Sequence, residues 1–303
     1  MSIDQSKFRL IRNIKRGERT VVDLISSDGT LYVKKRFFTQ FKNFFCAEVD
    51  NTKLLGNMGY QKFIAPSFSD EHTLSIYYPY IEGDNLKQYI TYANNVDMIF
   101  ESIIDEIFDE QSFLNRVKKF VFVPDGLRVK NILFPYARYI LSSKYDTLSL
   151  HIPDHIREKV KKLLKNVKIN PVWGRYDPEL SNYYMKNPER QILSIDFAEM
   201  ILHDSFYPLA YITIHLKQDY FIHKFYKKDY ASIFWSIAMK KLQKLSDPHM
   251  SKKNVHEKMI LNIFEVSLYL FSEYIEYAKK SQKDKEAYLP RATWILSYMN
   301  EFE

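Results

Sequence analysis

Asp177, Asn182 and Asp196 have the types and spacing that phosphoryl transfer would require. They lie in the run RYDPELSNYYMKNPERQILSIDFAE, with Asn182 five residues after Asp177 and Asp196 fourteen residues after Asn182, closing the apolar segment ILSID. Moving a phosphoryl group asks a protein for positioning and charge neutralisation more than for covalent chemistry. One carboxylate must take or orient the proton of the acceptor hydroxyl, and Asp177 is placed for it. An amide oxygen and a second carboxylate must hold magnesium against the phosphates, because hard cations prefer oxygen ligands. Asn182 and Asp196 are those two, and a hairpin sets them side by side. An Asp-x4-Asn pair on its own is common and reads as a capped or solvated loop. The ordered set, on the right elements, is what carries the argument.

Those elements follow from hydrophobic period. FRLIRNIKRG, TVVDLIS and TLYVKKRFF alternate or run apolar, and SSDG between the last two is a hairpin signal. NFFCAEVDNTKLLGNMG has helical spacing and stops at Gly56 and Gly59. FIAPSFSD and TLSIYYPYIEG then read as strands ending at Gly83, so strand-strand-strand-helix-strand-strand is complete by about residue 81. Beyond it DNLKQYITYA, VDMIFESIIDEIFDEQSFLNRVKKF, DHIREKVKKLLKNV and most of the chain from Phe206 onward are helical, around a strand-rich insert that holds Asp177, Asn182 and Asp196. The expected class is α+β: a small antiparallel β lobe over residues 1–80 and a larger, mainly helical lobe over 81–303.

The run around Asp177 resembles the catalytic and metal loops of the aminoglycoside-phosphotransferase and choline-kinase-like families, whose pattern is His-Gly-Asp, four residues, Asn, and then Ile-Asp. This chain keeps Asp177, Asn182 and IDF, and has Arg175-Tyr176 in place of His-Gly. The resemblance implies a two-lobed protein-kinase-like fold with ATP and magnesium as cofactors. It implies a catalytic set of Asp177, Lys34 and Glu48, with Lys34 of TLYVKKRF on the α- and β-phosphates and Glu48 pairing with it from the following helix. Lys35 is expected on the opposite face of the strand. YYPYIEGDNL is similar to the interlobe hinge: Tyr78 stands in the gatekeeper place, and Pro79, Tyr80 and Ile81 offer backbone toward adenine. Gly17 alone represents the phosphate-covering loop. Pro208 stands where the family has an aspartate that braces the catalytic loop, so any brace comes from elsewhere. A second pair, Asp125 and Asn131, is one residue too widely spaced and has no IDF after it.

Composition narrows the rest. The chain has 303 residues, one cysteine (Cys46) and an excess of seven positive charges. It can bury a large core, and it can form neither an intrachain disulfide nor a cysteine-rich zinc site. The histidines, among them His151, His155, His203, His215, His223, His249 and His256, lack metal-site spacing. No run approaches about 18 uncharged apolar residues and no signal peptide is legible, so a cytoplasmic protein is expected. GxSxG and GxxxxGK are missing, and the tyrosines and phenylalanines recur at helical spacing as core, so nucleic acid is not an expected partner. The positive excess favours a neutral or anionic acceptor, a small molecule, saccharide or glycolipid, and leaves room for peripheral contact with an anionic membrane surface. A protein kinase, for instance an effector with a protein substrate, and a nucleotide-binding pseudokinase are the two alternatives.

Overall fold

A computed structural model describes residues 7–117, 120, 133–141, 152–186, 191–245 and 251–302. Asp125 and Asn131, like His151 and His249, lie outside the described residues. The chain divides into two compact units, one of Met1–Tyr92, Asn115–Val123 and Leu180–Ile201, the other of Ala93–Leu114, Pro124–Glu179 and Leu202–Glu303. The first unit thus runs past residue 80 and takes in the hairpin with Asn182 and Asp196, which the sequence reading assigns to residues 81–303.

The first unit is built on an antiparallel sheet in the order β1-β2-β3-β5-β4, formed by Arg9–Arg16 (β1), Thr20–Ser27 (β2), Thr30–Phe37 (β3), Phe68–Asp70 (β4) and Ser75–Pro79 (β5). Asp28 and Gly29 both take positive φ, 48° and 80°, as the primed turn of a two-residue hairpin needs. Helix α1, Lys42–Asn57, packs Phe44, Phe45, Ala47 and Val49 against Phe37, Leu74, Ile76 and Tyr78 of the sheet. Past its end Gly59 has φ 79°, and Tyr60 N–H donates to Leu55 O at 3.0 Å, so the helix stops where its glycines stand. Phe8, Tyr32, Phe68 and Tyr77 form an aromatic cluster on the other face. Of the expected strand FIAPSFSD only Phe68–Asp70 forms, because Pro66 has no N–H and Ile64 N–H is spent on Ser194 O at 3.0 Å. DNLKQYITYA shrinks to one turn, Leu86–Tyr89 (α2), capped by Asn85 Oδ1 accepting from Gln88 N–H at 3.0 Å. The hairpin is Tyr183–Lys186 (β7) paired with Gln191–Ser194 (β8).

The second unit is mainly helical. It holds Val96–Leu114 (α3), Pro135–Tyr139 (α4), Asp154–Asn166 (α5), Tyr207–Phe221 (α6), Tyr230–Leu245 (α7), Lys252–Ala278 (α8) and Gln282–Asn300 (α9). Pro171–Arg175 (β6) forms a two-stranded sheet with Met200–Asp204 (β9). Helix α8 is buried on nearly every side from Val255 to Phe271, which marks it as the central element. Its Glu265 is 3% exposed and accepts from the free amides of Tyr136 and Ala137, at 3.1 and 2.7 Å, capping α4 where Pro135 opens it. No helix among the described residues is long and apolar enough to cross a membrane.

Candidate active site

Strands β3 and β5 are in the register Val33↔Tyr78, Lys34↔Tyr77 and Lys35↔Ile76. Residues directly opposed share a face and successive residues alternate, so Val33, Lys35, Ile76 and Tyr78 look toward α1 while Lys34 and Tyr77 look away. On the helix side Lys35 Nζ lies 2.7 Å from Glu48 Oε2 and 3.1 Å from Asp196 Oδ1. Lys34 Nζ lies over the Tyr77 ring, 5.4 Å from its centroid. The expected Lys34–Glu48 pair is therefore corrected to Lys35–Glu48. The two lysines do point to opposite faces, and the helix covers the one that carries Val33 and Phe37. Those residues flank Lys35 at two positions on either side, whereas Lys34 is flanked by Tyr32 and Arg36; that asymmetry was the signal in the sequence.

Burial alone would depress the Lys35 ammonium, but the carboxylates of Asp196 and Glu48 more than offset it and hold the group above its ordinary value. Glu48 is 1% exposed, and burial pushes its carboxyl up against the opposing pull of Lys35. The Tyr78 hydroxyl donates to Glu48 Oε1 in a short contact, and burial first, then the Glu48 charge, raises its phenol well above the usual range.

Asn182 and Asp196 flank the paired rungs of the hairpin. Tyr183 opposes Ser194, and Ile195 N–H donates to Asn182 O at 3.0 Å, so the two residues bracket one closing bond. Asp196 has φ 65°, a left-handed conformation that a non-glycine residue holds only where its surroundings enforce it. Here Asn51 Nδ2 donates to Phe197 O at 2.9 Å, and Arg19 pairs with Glu199 at 2.8 Å. Among the described residues no group of three or more His, Cys, Asp or Glu gathers as a metal cage. What the hairpin offers is one amide oxygen and one carboxylate, a donor set that fits magnesium whose remaining ligands are phosphate and water.

The residues expected to face adenine continue β5. Pro79 opposes Tyr32, Tyr80 N–H donates to Leu31 O at 3.2 Å, and Ile81 packs half-buried against the sheet–helix core. Gly83 follows with φ 145°, and a Cβ there would stand 2.9 Å from Met185 O, so only glycine fits. Gly17 closes the β1–β2 turn through its N–H to Thr20 O at 2.9 Å; a Cβ on it would meet nothing nearer than 3.8 Å, so sterics do not demand glycine.

Asp177 belongs to the second unit, just after β6. The residues before it, Gly174, Arg175 and Tyr176, are each held by contacts within the second unit. Arg175 is 1% exposed and its Nε lies 3.0 Å from Glu110 Oε1 on α3, a long-range pair that no local spacing announces. Gly174 packs so tightly on His203 that a Cβ would fall 2.1 Å from the ring Nε2. Tyr207, next to Pro208, donates its hydroxyl to Tyr176 O at 3.2 Å. The loop is thus braced from the residue beside the proline.

The fold is similar to that of known structures. Aminoglycoside 2'-phosphotransferase-IIIa, in its GDP complex, superposes with a TM-score of 0.62 at 11% identity, over 95% of this chain and 91% of that one. The choline kinase LicA from Streptococcus pneumoniae gives 0.53 at 15% identity, covering 95% of each chain. A Plasmodium vivax ethanolamine kinase gives 0.56 at 12% identity, over 97% of this chain and 83% of that one. The chain has the fold of these kinases. In this kinase-like fold the sheet of the first unit, with α1 across it, carries Lys35 and Glu48, and the β7–β8 hairpin carries Asn182 and Asp196. No protein-family model matches the sequence, and no curated protein matches it.

Proposed function

We infer that the chain is a kinase that transfers the γ-phosphate of ATP, with magnesium, to a hydroxyl of a small molecule. The observation that carries this reading is Lys35 Nζ set 2.7 Å from Glu48 and 3.1 Å from Asp196, a strand, a helix and the loop after β8 meeting inside a kinase-like fold. Magnesium, when bound, would neutralise charge on the phosphate oxygens and so ease the approach of the acceptor oxygen to phosphorus. Asn182 and Asp196 would hold it. Lys35 would donate to phosphate oxygens from a position set by Glu48. The Pro79 carbonyl and the Ile81 amide would face adenine, the Tyr80 N–H between them being held by Leu31 O, with Gly17 in the turn over the phosphates, and Asp177 would accept the proton of the acceptor hydroxyl.

Two readings of the acceptor stand on different observations. Net charge favours a neutral or anionic one, a saccharide or glycolipid, and is compatible with contact at an anionic membrane surface. The second unit favours a cation. Burial, then the charges of Asp177 and Glu179, push the Tyr211 phenol well above its ordinary range. Tyr226 is raised by burial and then by Asp219, Tyr230 and Glu179, while burial, ahead of Glu273 and Glu179, pushes Tyr274 up to about 12 in spite of its bond to Gln218 and the Arg291 charge. Carboxylates set among aromatic rings suit an ammonium group, and choline and ethanolamine, for which two of the similar kinases are named, are cationic alcohols.

The test is acceptor-dependent ADP or GDP formation from ATP and from GTP, with magnesium, against amino alcohols, aminoglycosides, neutral sugars, phosphorylated saccharides and added protein. Turnover lost in Asp177→Ala is expected, with amino alcohols or aminoglycosides as acceptors. Turnover confined to phosphorylated saccharides would leave the net-charge reading standing. Phosphate on added protein alone would make the chain a protein kinase, and nucleotide binding without turnover on any acceptor would make it a pseudokinase.

A further inference from the structure

Glu48 is nearly sealed from solvent, and each of its two oxygens has its own donor: Oε2 takes the Lys35 ammonium at 2.7 Å and Oε1 takes the Tyr78 hydroxyl. The sheet register makes this arrangement unavoidable. Tyr78 opposes Val33, Ile76 opposes Lys35, and all four lie on the face that α1 covers, so the phenol reaches Glu48 from the side that Lys35 does not occupy. Lys35 has a second carboxylate within reach, Asp196 Oδ1 at 3.1 Å, on a side chain 42% exposed. The two carboxylates therefore compete for one ammonium, and only one of them is anchored from behind.

The structure assigns Tyr78 the part of a positioning residue: its hydroxyl holds Glu48 in the orientation that retains Lys35, and so limits how far Lys35 is drawn onto Asp196. A phenylalanine would fill the same space without the donor. Glu48 Oε1 would then be a buried acceptor lacking a partner, a costly state that the carboxylate relieves by rotating or by taking a proton. Either response loosens its hold on Lys35, which moves toward Asp196, and an Asp196 occupied by an ammonium is a poorer ligand for a cation. The meaning of Lys35 rests on the kinase reading above; the contact itself does not.

In Tyr78→Phe, kcat/KM for ATP is expected to fall about tenfold, the effect of losing one hydrogen bond to a charged group. The magnesium concentration that gives half-maximal rate should rise, and the melting temperature should fall by a few degrees at most. A lower melting temperature with unchanged magnesium dependence would reduce Tyr78 to a packing role and overturn the assignment. If the parent protein turns over no acceptor, the kinase reading fails, and crystal structures of the parent and Tyr78→Phe without nucleotide still decide the point. A rotated Glu48 with Lys35 displaced toward Asp196 supports it; an unchanged Lys35–Glu48 contact sinks it.

Discussion

Two buried lysine–carboxylate pairs, one in each unit, differ in a way that separates stability from chemistry. In the second unit Lys258 is 1% and Asp204 2% exposed, and the pair is 3.0 Å long. Asp204 also accepts from Asn170 N–H at 2.8 Å, Phe206 N–H at 3.0 Å and Asn262 Nδ2 at 3.1 Å, while Lys258 lies over the Phe206 ring. Every direction around that carboxylate is filled. In the first unit Glu48 is as deeply buried, but the ammonium it holds is shared with Asp196, a half-open side chain on a left-handed residue. A closed pair ties elements together; an open one keeps a charge available to something that is not part of the chain.

Lys258→Met breaks the closed pair. It removes the ammonium 3.0 Å from the buried Asp204, and a buried pair deprived of one partner typically costs about 3–5 kcal/mol. Urea unfolding of the variant should show that loss, the largest of this group. Lys35→Met is the counterpart in the open pair, and its effect should appear in turnover. A preorganised cation removed from a transferring phosphoryl group lowers kcat by roughly a hundredfold, whereas the stability loss should be the smaller of the two. Glu48 can take a proton to answer the vacancy, because burial already pushes its carboxyl up. Equal stability losses in the two variants, or a Lys35→Met protein of full activity, would erase the distinction.

How much of this arrangement could be read from the sequence depends on range. The strand order, the Asp28-Gly29 turn and the stop of α1 are written in local period and glycine position, so they were legible. The hairpin with Asn182 and Asp196 was legible for the same reason: two short apolar runs with polar residues at their ends leave little choice of register. The lysine was not resolved, because Lys34 and Lys35 differ only in which face of β3 they occupy, and that face is set by where α1 packs. Residues two positions away, Val33 and Phe37, held the answer. Arg175 and Glu110 show the opposite case. Their pair joins β6 to α3 across sixty-five residues of chain, and nothing near either residue announces the other. The single boundary drawn at residue 80 shares that cause, since a hairpin near residue 190 joins the first unit through contacts such as Ile64 N–H to Ser194 O.

A third pair sharpens the comparison at its weak end. Lys217 and Asp229 are 2.8 Å apart with side chains 16% and 26% exposed, so neither burial nor an open partner singles the pair out. Asp229 precedes α7; its Oδ1 accepts from Ser232 N–H at 3.4 Å, as a capping residue does, and its Oδ2 accepts from Ser232 Oγ at 2.8 Å. Burial works to raise its carboxyl, but the hydrogen bonds from Lys217 and Ser232 prevail and hold it below its ordinary 3.8. A carboxylate depressed in the folded state adds stability above its unfolded value and surrenders it as the pH falls, because the unfolded chain then binds the proton more readily. Asp229→Ala should therefore cost about 1 kcal/mol near neutrality, and the difference from the parent should shrink as the pH drops below 3.8. Chemical unfolding at neutral and at strongly acidic pH measures both quantities. If the difference is the same at the two values, the charge of Asp229 contributes nothing and the pair ranks with the exposed ones. Turnover should not change in either case, which sets this cap apart from the pair that Lys35 makes.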